Sequence, residues 1–164
     1  MARDSARAVF LDTSAIVAFF TNEPRSEVLR AFWYLEATKY TSQFCMYESL
    51  NIYKSKWRSQ KRLTYEQYKA ACFQTFHWYQ ASVRHVTDLD FHDPMIFQDV
   101  YLLALKYQLD MSDAFQILCV QRGFFSVLVN DSQTILVTGD AELAKAARDE
   151  GLKAWDFRKE DPPV

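Results

Sequence analysis

The chain has 164 residues, of which 49% are hydrophobic and 24% charged, enough for one domain with its own core. A formal net charge of −2 excludes a global nucleic-acid footprint, and no stretch approaches the ~18 consecutive apolar residues of a membrane span. Three cysteines, Cys45, Cys72 and Cys119, cannot all pair and have no C-x-x-C spacing, which argues against a disulfide scaffold.

Free thiols and the absence of a signal-type apolar region in Met1–Arg7 give a cytoplasmic expectation. The aromatic content is high at 16%, suited to a bulky core or a partner surface. Three glycines and four prolines favour long helices.

In chain order, the apolar run Ala8–Leu11 predicts a strand ending at Asp12, followed by a helix to Phe20. Thr21-Asn22-Glu23-Pro24 reads as a turn, and Pro24 precedes a helix over 25–37. Lys39–Ser42 predicts a short strand, and 44–59 a long helix that carries Glu48. Thr64 and Gln67 have capping-box spacing for a helix to Ser82. Val83–Val86 is a weak strand, and Asp93-Pro94 opens a helix over 95–107. A further helix spans 112–121, with Gly123 as its stop.

The segment 124–133 fits a strand, a helical turn or a packed loop. Thr134–Thr138 is a strand, 141–150 a helix with Gly151 as its cap, and Lys153–Trp155 a last strand. Alternating strands and helices predict a parallel α/β sheet with right-handed crossovers. The expectation is one domain over 1–158, with 159–164 as a frayed tail.

Four acids fall at the junctions: Asp12, Glu48, Asp113 and Asp140. Two end apolar strands, on the side where ligands bind an open parallel sheet. Each also has a plainer role, because Asp is a favoured helix cap and Glu is common on solvated faces. Grouped, they would repel and raise one another's pKa, and a divalent cation relieves that. Mg²⁺ or Mn²⁺ with oxygen ligands lowers the pKa of water and neutralises phosphoryl charge, the chemistry of phosphodiester hydrolysis. Thr138, two residues before Asp140, can support a carboxylate through its hydroxyl. Asp110 stays outside the core set. Ser14 has no histidine placed to activate it, which leaves capping.

Between 54 and 62 lie five basic residues and one Trp. Lys54, Trp57, Arg58 and Lys61 could follow RNA phosphates and stack a base. The plainer reading is a solvated helix end favoured by the dipole. His77, His85 and His92 have no metal-ligand spacing, and no phosphate-binding glycine loop is present.

The segments Val9–Ala15, Glu48, Ser112–Ile117 and Leu136–Leu143, with the helix–strand character of 144–155, resemble PIN-domain ribonucleases, in particular VapC-type toxins of prokaryotic toxin–antitoxin pairs. The resemblance implies a three-layer fold with a five-stranded parallel sheet, order 3-2-1-4-5, flanked by helices. It implies that Asp12, Glu48, Asp113 and Asp140 are the catalytic and metal-binding acids, with Thr138 in support. It further implies a Mg²⁺ or Mn²⁺ cofactor, an RNA substrate, a cognate antitoxin and a homodimer, away from membranes. The alternatives are a housekeeping RNA-processing nuclease, a phosphoacceptor regulatory domain and an inactive binding module.

Overall fold

The computed structural model describes residues 7–35, 38–82, 84–85, 89–127 and 134–163. Strand β1 (Ala8–Leu11) is buried at every position, as a central strand covered on both faces must be. It pairs in parallel with β2 (Thr38–Thr41) and β4 (Ile135–Thr138), placing Phe10 beside both Tyr40 and Leu136. A two-residue β3 (Arg84–His85) extends the sheet beyond β2, and β5 (Lys153–Asp156) extends it beyond β4. The order is β3-β2-β1-β4-β5, with four strands of four residues and a minimal fifth at one edge.

The chain leaves β1 toward β2 on one side and joins β4 on the other. The direction of winding therefore reverses between the C-terminal ends of β1 and β4, where an open sheet splays into a crevice.

Helix α1 (Thr13–Phe20) packs with α2 (Ser26–Leu35), α3 (Gln43–Arg58) and α4 (Tyr65–Ser82). Helix α5 (Pro94–Tyr107) packs on α6 (Met111–Arg122), and α7 (Ala141–Asp149) lies against β4 and β5. Aromatic pairs reinforce the packing: Phe10 meets Tyr40 edge-on across β1 and β2 at 5.1 Å between centroids, and Phe32 of α2 meets Trp155 of β5 at 4.6 Å.

The predicted capping box forms, with Thr64 N–H donating to Gln67 Oε1 and Gln67 N–H to Thr64 Oγ1. Helix α2 starts at Ser26 because Arg25 takes a left-handed backbone, φ 63°. Gly123 ends α6 in an extended conformation, so its backbone freedom is not used there; Gly151, at φ 82°, does use it. Phe124–Val127 forms a 3-10 turn; 128–133 lie outside the described residues, as do 83 and 86 of the weak strand and 36–37 at the expected helix end.

Within the expected tail, Glu160 makes specific contacts. Glu160 does not fray: its carboxylate accepts from Arg148 at 2.6 Å and from Asp156 N–H at 3.2 Å. Its carbonyl accepts from Arg25 and from Trp155 Nε1. Charged residues suggested a solvated end, whereas these donors pin it.

Candidate active site

Asp12 follows β1 directly, and its N–H continues the ladder by donating to Val137 O at 3.0 Å. It also caps α1: Oδ2 accepts from Ser14 N–H at 3.3 Å. Asp140, after β4, caps α7 through Oδ1, which accepts from the N–H groups of Glu142 and Leu143. The capping role and the junction role therefore coincide in the same side chains. Glu48, in the second turn of α3, faces them, and its Oε2 accepts from Thr13 Oγ1 at 2.7 Å. Asp12, Glu48 and Asp140 line one cleft of about 560 Å³.

Asp113 stands in the first turn of α6, half-buried, with Oδ1 accepting from Gln116 Nε2 at 3.1 Å. Burial first, then the negative charges of Asp12, Asp140, Glu48 and Asp110, push its carboxyl up to about 7. All four predicted acids thus share one electrostatic neighbourhood. Asp110 occupies the N-cap position of α6 without a side-chain cap bond.

Hydroxyls organise the acids. Thr138 Oγ1, fully buried, donates to Asp12 Oδ2 at 2.7 Å and accepts from Asp140 N–H at 2.9 Å. Ser14 does more than the expected capping. Its Oγ donates to Asp12 Oδ2 at 2.5 Å and accepts from Gly139 N–H at 2.7 Å, tying the ends of β1 and β4 together. In each of the four carboxylates, the hydrogen bonds among the described residues fall on one oxygen and leave the other uncommitted.

This donor set is oxygen only and anionic, the set that a hard divalent cation takes. A cation would also offset the repulsion that raises Asp113. With the side chains as they stand, no three His, Cys, Asp or Glu groups among the described residues form a group that could hold an ion. Thr13 holds one oxygen of Glu48, and Ser14 and Thr138 hold one oxygen of Asp12. The chemistry of the donors fits the ion, and each carboxylate keeps one oxygen outside these bonds.

Lys54, Trp57, Arg58 and Lys61 are not brought to the cleft. On α3, Glu48, Ile52 and Lys56 share the cleft-lining face at four-residue spacing, and Lys54 and Arg58 project elsewhere. Trp57 stacks on Tyr68 with centroids 5.0 Å apart and planes at 10°. The cation from that run that does line the cleft is Lys56, paired with Glu23.

Arg158 lines it too, donating to Gly139 O. A Cβ at Gly139 would meet Arg158 Nε at 2.7 Å, so glycine admits the guanidinium there. Lys56 was detectable in sequence as the residue two helical steps beyond Glu48. Glu23 in a turn and Arg158 beside a supposed tail carried no comparable signal.

Residues 9–149 match the PIN domain family. The chain belongs to that family. No curated protein matches the chain. PIN domains are generally nucleases and typically use divalent metal ions, which agrees with the acids at the end of this parallel sheet. No helix among the described residues is long and apolar enough to cross a membrane.

Proposed function

We propose that this PIN domain is a Mg²⁺- or Mn²⁺-dependent endoribonuclease of the VapC type, the toxin of a toxin–antitoxin pair. The observation that carries the reading is the convergence of Asp12, Glu48 and Asp140 in one cleft, with Asp113 in their field, its carboxyl pushed up to about 7 by burial first and by their negative charges second. These four residues would hold the ion, which supplies an activated water and neutralises phosphoryl charge.

The chain's own contributions follow from its hydrogen bonds. Thr138 and Ser14 fix the orientation of Asp12, and Thr138 aligns Asp140 through its backbone. Gln116 orients Asp113, which releases its proton when positive charge enters the cluster. Lys56 and Arg158 give an otherwise acidic cleft two points of positive charge for an RNA backbone.

A protein partner is supported by the apolar side chains exposed on α5: Met95, Tyr101, Leu102 and Leu105 are each about half exposed or more. Such a surface suits an antitoxin helix or a second copy of the chain. An antitoxin would also direct a basic residue toward the acidic cleft.

The test is induced expression of the wild type and of Asp12→Asn in a bacterial host, followed by mapping of new RNA 5′ ends. The proposal expects growth arrest with discrete RNA cuts for the wild type and neither for the variant. Unimpaired growth and intact RNA at equal protein levels would contradict it.

A further inference from the structure

Beyond the acidic cleft the structure carries a second cavity, of about 440 Å³, large enough for one nucleotide. Glu23 and Lys56 line both spaces, so this ion pair is their shared wall. Lys56 is 6% exposed, and lysine is rarely buried to that degree unless paired. A buried ion pair is a poor source of stability, because desolvation offsets the attraction. Its position on the rim of two open spaces gives it another use.

The backbone beyond α3 is shaped around the same point. Arg62 and Leu63 N–H both donate to Lys56 O, at 2.7 and 3.2 Å, and Lys61 turns left-handed at φ 55° to allow it. This fold-back brings Arg62 to the cavity that Lys56 borders. Asn22, Gln67 and Gln74 add amide groups to the lining. Two cations with amides, next to carboxylates suited to phosphodiester chemistry, match one chemical class: a nucleotide of a single RNA strand, its phosphate on the cations and its base toward the amides.

We propose that this cavity is a flanking-nucleotide subsite. It rests on the ribonuclease reading above. Lys56 is held by Glu23 in the free protein and passes to the phosphate next to the scissile one when RNA enters. Glu23 is the competitor that keeps the ammonium away from the four catalytic carboxylates until then.

The test titrates short fluorescein-labelled single-stranded oligoribonucleotides into full-length protein over a range of salt, in the cleavage-deficient Asp12→Asn background. Lys56→Met keeps the packing of the aliphatic stem. It is expected to weaken binding about 10-fold or more, the scale of one charged hydrogen bond. It is also expected to lower the slope of log affinity against log salt by about 0.7, the signature of one lost phosphate contact. Lys56→Arg should keep the slope.

Glu23→Gln should bind RNA more tightly than the parent, whereas a purely structural pair predicts equal or weaker binding. Unchanged affinity and slope for a folded Lys56→Met, or equal or weakened binding by Glu23→Gln, overturns the subsite and leaves the ribonuclease reading standing. RNA binding absent from the parent as well overturns both.

Discussion

Thr138 Oγ1 lies 2.7 Å from Asp12 Oδ2, a contact between residues 126 apart in sequence that joins the ends of β1 and β4. Because the same hydroxyl accepts from Asp140 N–H, one buried oxygen sets the spacing of two of the four acids. Thr138→Val keeps the shape and removes both bonds. It should lower stability by about 1–3 kcal/mol, the cost of unsatisfied buried polar groups. It should also reduce RNA cleavage about 10- to 100-fold, as loss of a supporting group around a metal does. Thr138→Ser should restore most of the activity; a fully active Thr138→Val would remove Thr138 from the site.

The pH dependence of stability follows from Asp113. Its carboxyl ionises near 3.8 when unfolded and at about 7 when folded. Between those values the folded chain keeps a proton that the unfolded chain has lost. The group's contribution is therefore full below about pH 4, declines as pH rises toward 7 and is flat beyond. Urea denaturation should show this decline in the wild type relative to Asp113→Asn, which lacks it. Calorimetry in buffers of different ionisation heat should detect proton release when Mn²⁺ binds at pH 6, and less at pH 8. Equal proton release at both pH values would contradict the assignment.

Cys45 lies beneath this cluster. Burial, with the Asp12 charge second, pushes its thiol up to about 12, so almost no thiolate exists at neutral pH. Native protein treated with iodoacetamide at pH 8 should leave Cys45 unmodified, and denaturant should expose it. Rapid modification of Cys45 in the native state would show that the cluster opens to solvent.

The C-terminal segment should matter more than its composition suggests. Deleting residues 159–164 removes Glu160, which accepts from Trp155 Nε1, Arg148 and Asp156 N–H. The expected loss is about 1–3 kcal/mol in a chemical melt, since hydrogen bonds to charged groups are among the stronger ones. An unchanged midpoint would return this segment to the status of a tail.

Asp12 and Asp140 were legible because each stands where periodicity changes: Leu11 to Thr13 and Thr138 to Ala141 are strand-to-helix transitions, whose position in a parallel sheet follows from topology. Glu48 and Asp113 sit inside helices, and local pattern alone does not say which way they face. Ser14 was read as a local cap because its partners, Gly139 and Thr138, are more than 120 residues away. Most of the basic run stays away from the acidic cleft for a geometric reason. Charge density in sequence ignores the 100° step of a helix, which points Lys54 and Arg58 away from the face that Lys56 shares with Glu48. Glu160 was missed because its donors come from the turn before α2, from α7 and from β5.

The central claim is that the four acids form one metal-dependent site for RNA hydrolysis. Its most direct test is cleavage of a tRNA and total-RNA panel by purified protein with Mg²⁺, Mn²⁺ or EDTA, alongside folded Asp12→Asn and Asp113→Asn. The account predicts discrete products with metal, none with EDTA, and a loss of at least about 100-fold in each variant, as expected when an oriented catalytic group is removed. Cleavage that persists in EDTA, or at full rate in either variant, would contradict it.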